Sequence, residues 1–127
     1  DELYLGGRPM ANHWLGAFPF SPASGNVGGT TRVGTYPANE LGAYDMIGNV
    51  WEWTSSDFHE GHRVSACCGG TTEDPLQQGG RLMVLKGGSH LCAENYCSRY
   101  RPTARIPQPA HFSASHIGFR VAADAEQ

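Results

Sequence analysis

Seventeen glycines and eight prolines are scattered from one end of this chain to the other, and they leave few stretches long enough for a regular element. The backbone must turn often, so short strands joined by irregular coil are expected and long elements should be scarce. Hydrophobic residues make up only 39%. Such a chain needs its coils pinned by aromatic packing and side-chain hydrogen bonds, with metal as one further means. With 127 residues it is long enough for one modest domain or part of a larger one. No apolar run is long enough to cross a bilayer, and Asp1-Glu2-Leu3-Tyr4 lacks the basic and apolar regions of a signal peptide, so no membrane partner is expected. Nine Lys and Arg against twelve Asp and Glu leave a formal charge of -3, which is no footprint for nucleic acid. Four arginines, at 99, 101, 105 and 120, nonetheless crowd toward the C-terminal end, where a carboxylate or an extended peptide could meet them.

Period-two alternation marks Val50 to Thr54 as a half-buried strand with Trp51 and Trp53 on one face. Leu82 to Leu85 reads as a buried strand, Ile106 to Pro109 as an extended segment, and Ile117 to Ala122 as a closing core strand. Arg32 to Tyr36 alternates like a further short strand, and Ser21 to Thr31 reads as a loop. Ser55 to Gly80 is polar and glycine-rich and is expected to be a surface excursion. It holds the adjacent Cys67 and Cys68, for which the strain of a vicinal disulfide and the lack of a nearby motif predict no catalytic role.

Reactive groups concentrate in Lys86-Gly87-Gly88-Ser89-His90-Leu91-Cys92-Ala93-Glu94-Asn95-Tyr96-Cys97-Ser98-Arg99. On an ideal helix, residues five apart have Cα atoms about 8.7 Å from one another, beyond the roughly 7 Å reach of a disulfide. In a turn, Cys92 and Cys97 could bridge. Two thiolates held close are equally a soft two-coordinate site of the kind that selects Cu(I). The residues alone leave both readings open.

Several separated pieces together resemble one family, the formylglycine-generating enzymes or sulfatase-modifying factors. These are Asn12-His13-Trp14-Leu15-Gly16-Ala17-Phe18-Pro19, Leu41-Gly42-Ala43-Tyr44-Asp45-Met46-Ile47-Gly48-Asn49-Val50-Trp51-Glu52-Trp53-Thr54, the cysteine stretch, and Ile117-Gly118-Phe119-Arg120. The Gly-Asn-Val-Trp-Glu-Trp block is shared by a wider superfamily that includes C-type-lectin-like binding modules. The cysteine pair after Lys-Gly-Gly-Ser narrows the resemblance to the catalytic group.

The resemblance implies an α+β, irregular, C-type-lectin-like fold of short antiparallel strands braced by calcium. It also implies an oxidase that uses dioxygen and Cu(I) to convert a cysteine in an unfolded Cys-X-Pro-X-Arg segment of a sulfatase to Cα-formylglycine. The alternative is a non-catalytic, calcium-braced peptide-binding module; an iron-dependent sulfoxide synthase would need a three-histidine set, for which His59 and His62 give no triad. By position, Cys92 and Cys97 match the copper ligands, Ser89 and Tyr96 line the oxygen and substrate pocket, and Trp51, Arg99 and His116 contact substrate. His116 stands where some members have Asn, with a ring that can still donate a hydrogen bond.

Asp45, Glu52 and the carbonyls of Gly48 and Val50 match one calcium site. Asn12, the His13 carbonyl and Asn26 match a second, with one charge fewer than usual. Because the family's domain is about twice this length, residues 1–127 are expected to be its C-terminal half, with an N-terminal half as partner. No targeting address is visible; thiols that must stay reduced favour a cytoplasm if the source is bacterial, though family members also work in an oxidising lumen.

Overall fold

The computed structural model describes residues 3–26, 28–59, 81–97 and 99–123, so Cys67, Cys68 and His62 lie outside the described residues. Eight strands run in the order β1 (Tyr4–Leu5), β2 (Arg8–Pro9), β3 (Gly16–Ala17), β4 (Ser21–Pro22), β5 (Trp51–Asp57), β6 (Leu82–Lys86), β7 (Ile106–Pro109) and β8 (Ile117–Gly118). Strands and turns make up the described residues, with no helix among them, so the α part of the expected α+β class is not seen there. Gly and Pro interrupt most of the chain, and of the longer uninterrupted stretches one is taken by the aromatic strand β5 while Ser89 to Cys97 is closed into turns.

One four-stranded sheet carries the fold, in the order β7-β6-β5-β8, flanked by two small hairpins, β1-β2 and β3-β4. β5, β6 and β7 are antiparallel, whereas β8 pairs with β5 in parallel, Trp51 opposite Ile117. β7 holds two prolines and sits at the sheet edge, where missing N–H donors disturb no ladder. The β5–β6 register slips between Trp53 and Asp57. Across that slip the Thr54 hydroxyl donates to the Val84 carbonyl (3.0 Å) and accepts from the Ser56 N–H (3.2 Å), replacing lost ladder bonds.

Four expectations need correction. Arg32 to Tyr36 is no strand: Gly34 has φ of +74°, and the Thr35 N–H closes a turn onto the Arg32 carbonyl at 3.2 Å. The closing strand stops at Gly118, leaving Phe119 76% and Val121 85% exposed. The stretch from Ser21 is not all loop, because Ser21–Pro22 pairs with Gly16–Ala17; in the same way β5 runs on to Asp57, past the expected break at Ser55.

The core is small: Trp51, Leu85 and Cys92 form its centre, with Trp53, Cys97, Tyr100, Ile106 and Ile117 packed against it. Both cysteines thus belong to the same apolar cluster as the Trp-Glu-Trp strand.

Candidate active site around the Cys92 and Cys97 thiols

The cysteine loop is hung from three directions. After β6, Gly87 and Gly88 adopt φ of +89° and +74°, a conformation open to glycine and strained for other residues. A Cβ on Gly88 would stand 3.0 Å from the Tyr100 backbone, so the chain can pass this close only without one. The buried Ser89 then starts a turn: its carbonyl accepts the Cys92 N–H (2.9 Å), and its hydroxyl accepts the Leu91 N–H (3.3 Å). Ala93 accepts from both Tyr96 (3.1 Å) and Cys97 (2.8 Å), which folds the cysteines back toward each other. Trp14 donates its backbone N–H to the Cys92 carbonyl at 3.0 Å and anchors the loop from below.

Asn49, which the sequence reading left without a role, holds the loop from the strand side. It has φ of +59° and is buried. Its carbonyl accepts both the backbone N–H and the Nδ1–H of His90, each at 2.9 Å. Its side-chain oxygen accepts from Asn12 (3.2 Å) and from the Thr31 N–H (2.9 Å). One asparagine therefore ties the Asn12 segment, the Thr31 segment and the cysteine loop together. Its position inside the Gly-Asn-Val-Trp-Glu-Trp block was the available signal, because Asn is among the few residues that tolerate a left-handed turn.

Both thiols are free; Cys92 is buried and Cys97 half-buried. Burial pushes the Cys92 thiol from its ordinary 9.0 up to about 11; hydrogen bonding to Ser89 works against that rise and the neighbouring Cys97 thiol adds to it. The folded value lies above the unfolded one, so the neutral thiol contributes stability in full below pH 9.0, and that contribution is lost as pH rises toward 11. Urea unfolding of the metal-free chain should show a falling midpoint across this window, with a shallower fall in Cys92→Ser.

The other residues matched from sequence fall around this pair unequally. Trp51 packs beside Cys92, and its backbone N–H donates to the His116 carbonyl at 2.8 Å. Burial, followed by the charge of His90, pushes the His116 imidazole below its usual range and keeps it neutral near pH 7. Tyr96 is 70% exposed and stacks on Phe18 at 4.9 Å, while Trp14 packs edge-on to Phe18 at 5.2 Å. The three rings form a ledge that ends at Tyr96, the residue before Cys97, and Phe18 contributes to it without having been singled out from sequence. Arg99 is exposed.

Two facing thiols suit a soft, low-coordinate ion, and among the described residues no cluster of three or more His, Cys, Asp or Glu offers a harder alternative. The pair fits Cu(I). Calcium fits less well. Glu52 presents both carboxylate oxygens to Arg120, at 2.7 and 2.5 Å, and an Asp45 oxygen accepts the Gly34 N–H at 2.7 Å, whereas calcium takes six to eight oxygens. At the second position, Asn26 turns its amide to Leu15 and its oxygen to Gly28, while Asn12 donates to Gly29 and Asn49. Those side chains are spent on separate loop contacts.

A sheet of short strands that presents a buried and a half-buried thiol beside a Trp-Glu-Trp strand defines the class: the chain belongs to the family of the sulfatase-modifying factor enzyme 1-like domain, whose model matches residues 1–125. It is 50% identical over 134 residues to the formylglycine-generating enzyme of Mycobacterium tuberculosis, covering 98% of this chain and 43% of that protein. Formylglycine-generating enzymes of Mus musculus (42% over 126 residues; 98% and 32% covered) and Streptomyces coelicolor (40% over 128; 99% and 40%) are similar along the same span. The chain thus spans 32 to 43% of the length of these three relatives.

Proposed function

We propose that this chain carries the copper-binding loop of an oxidase that converts a cysteine in a Cys-X-Pro-X-Arg segment of a sulfatase to Cα-formylglycine with dioxygen. The observation that carries the reading is the pair of free, facing thiols in a loop fixed on three sides, in a chain 40 to 50% identical to proteins of that name. Cys92 and Cys97 would hold Cu(I), and bound copper supplies the redox centre that lets triplet dioxygen react with a closed-shell thiol.

The chain's own residues bind and orient. Ser89 and Asn49 fix the loop, so little order must be gained when the ion arrives. Trp51 and Leu85 exclude water from the Cys92 side. Tyr96 offers an exposed ring face to an extended peptide, Arg99 a positive charge, and His116 a neutral imidazole able to donate one hydrogen bond. The polypeptide that makes up the rest of the relatives' length would cover part of the exposed apolar surface, which includes Phe20, Leu41 and Phe119.

Incubation with Cu(I), oxygen and a Cys-X-Pro-X-Arg peptide should give a product lighter by about 18 Da, the change from CH2SH to CHO. A peptide-binding module on the same scaffold would bind such a peptide without changing its mass, and its thiols would not be protected from titration by Cu(I).

A further inference from the structure

The turn from Tyr44 to Glu52, which the sequence offers to calcium, is already crossed by a cation of the chain itself. Arg120 lies just past β8, and its guanidinium makes four contacts. Nε reaches Glu52 Oε2 at 2.7 Å and Nη2 reaches Oε1 at 2.5 Å. The Tyr44 carbonyl accepts from Nη1 at 3.1 Å, and the Asp45 carbonyl from Nη2 at 2.9 Å. The Glu52 side chain is only 18% exposed, so the pair is partly withdrawn from water. The planar fork of arginine suits such a bidentate arrangement, which a single ammonium could not make.

We propose that Arg120 is the resident cation of this turn, so that the turn is ordered without calcium, and that removing the guanidinium makes it calcium-responsive. Glu52 satisfies the guanidinium with both oxygens, and a divalent ion on the same carboxylate would stand within a few ångströms of that positive charge. Asp45, at φ of +52°, sends its carboxylate outward to cap the Gly34 turn. Other ties hold the same turn: the Gly48 N–H donates to Gly87 at 2.9 Å, the Asn49 side chain binds Asn12 and Thr31, and the backbone packs so closely that a Cβ on Gly48 would meet the Asn12 carbonyl at 2.4 Å. Arg120 is thus a positioning residue, acting on the cysteine loop through Glu52, its neighbour Trp51 and the Gly48–Gly87 bond.

The test concerns the turn and not turnover, so it stands whether or not the chain acts as an oxidase. Thermal unfolding of the full chain is followed with EGTA and with calcium, and terbium is the luminescent probe, sensitised by Trp51 and Trp53 on either side of Glu52. The wild-type midpoint should shift by less than about 1 °C between EGTA and calcium, and no terbium emission sensitive to Glu52→Gln should appear. Arg120→Gln should lower the midpoint by several degrees, recover part of the loss in millimolar calcium, and gain emission that Glu52→Gln removes. Arg120→Lys, which keeps the charge and loses the fork, should fall between them without emission. Wild-type emission abolished by Glu52→Gln, or a wild-type midpoint that falls in EGTA as far as it does in Arg120→Gln, overturns the proposal. If Arg120→Gln does not fold, the wild-type measurements decide alone.

Discussion

Cys92→Ser and Cys97→Ser are each expected to cut formylglycine formation to below about a thousandth of the wild-type rate, and the double variant should be no worse than either single one. On the proposed reading the two thiols are ligands of one ion and act as a unit, so the second loss has nothing left to remove. Serine is the discriminating replacement because it keeps the side-chain size in a buried site and exchanges a soft sulfur for a hard oxygen that does not hold Cu(I). Mass spectrometry of the peptide product reads the first effect. Competition with a chromogenic Cu(I) chelator reads the second, and should show tight binding in the wild type and none in either variant. Product formation undiminished in both variants would sink the oxidase reading.

Trp51→Ala should cost roughly 3–5 kcal/mol of folding stability, the largest effect expected of any single side chain here. Trp51 is 5% exposed and forms the core centre with Leu85 and Cys92, so truncation opens a cavity against the thiol. Urea denaturation should show the midpoint falling with little change in slope. Trp53→Ala, at a half-buried position one strand repeat away, should cost less. The Trp51→Ala cavity should also let water reach Cys92, weakening the burial that raises its pKa. The pH profile of thiol alkylation should therefore move toward lower pH in this variant, an effect that lost packing energy elsewhere in the sheet would not produce.

The parts of the fold that could be read from sequence are those where one signal dominates. β5 announces itself by alternation and aromatic content and β6 by a short continuous apolar run, and the structure returns both, with Trp51 and Trp53 directed at the core. The cysteine loop was visible through its glycines, although its free thiols could not be told from a disulfide by spacing. What could not be read depends on contacts distant in sequence. Arg32 to Tyr36 alternates as a strand does, but finds no partner ladder and is captured as a turn by Asp45. Ile117 to Ala122 looks like a core strand because Phe119 and Val121 are apolar, yet the sheet offers β8 only two residues of pairing. Asn49 and Arg120 gain their importance from partners that no local pattern names.

The ties around the thiol loop span 37 residues from Asn12 to Asn49, 41 from Asn49 to His90 and 68 from Glu52 to Arg120. Each is a closure that pays its chain entropy before any contact rewards it, which places folding in the slow regime of non-local topologies, about milliseconds to seconds. The two thiols approach through a local turn, but the burial of Cys92 needs Trp51 and Leu85 beside it and so is expected to wait on long-range pairing. Until that moment Cys92 is an unburied thiol without its raised pKa, open to wrong disulfides and oxidation. The fold's long-range wiring thus sets a chemical timetable, in which a reducing environment matters most while the chain is still assembling.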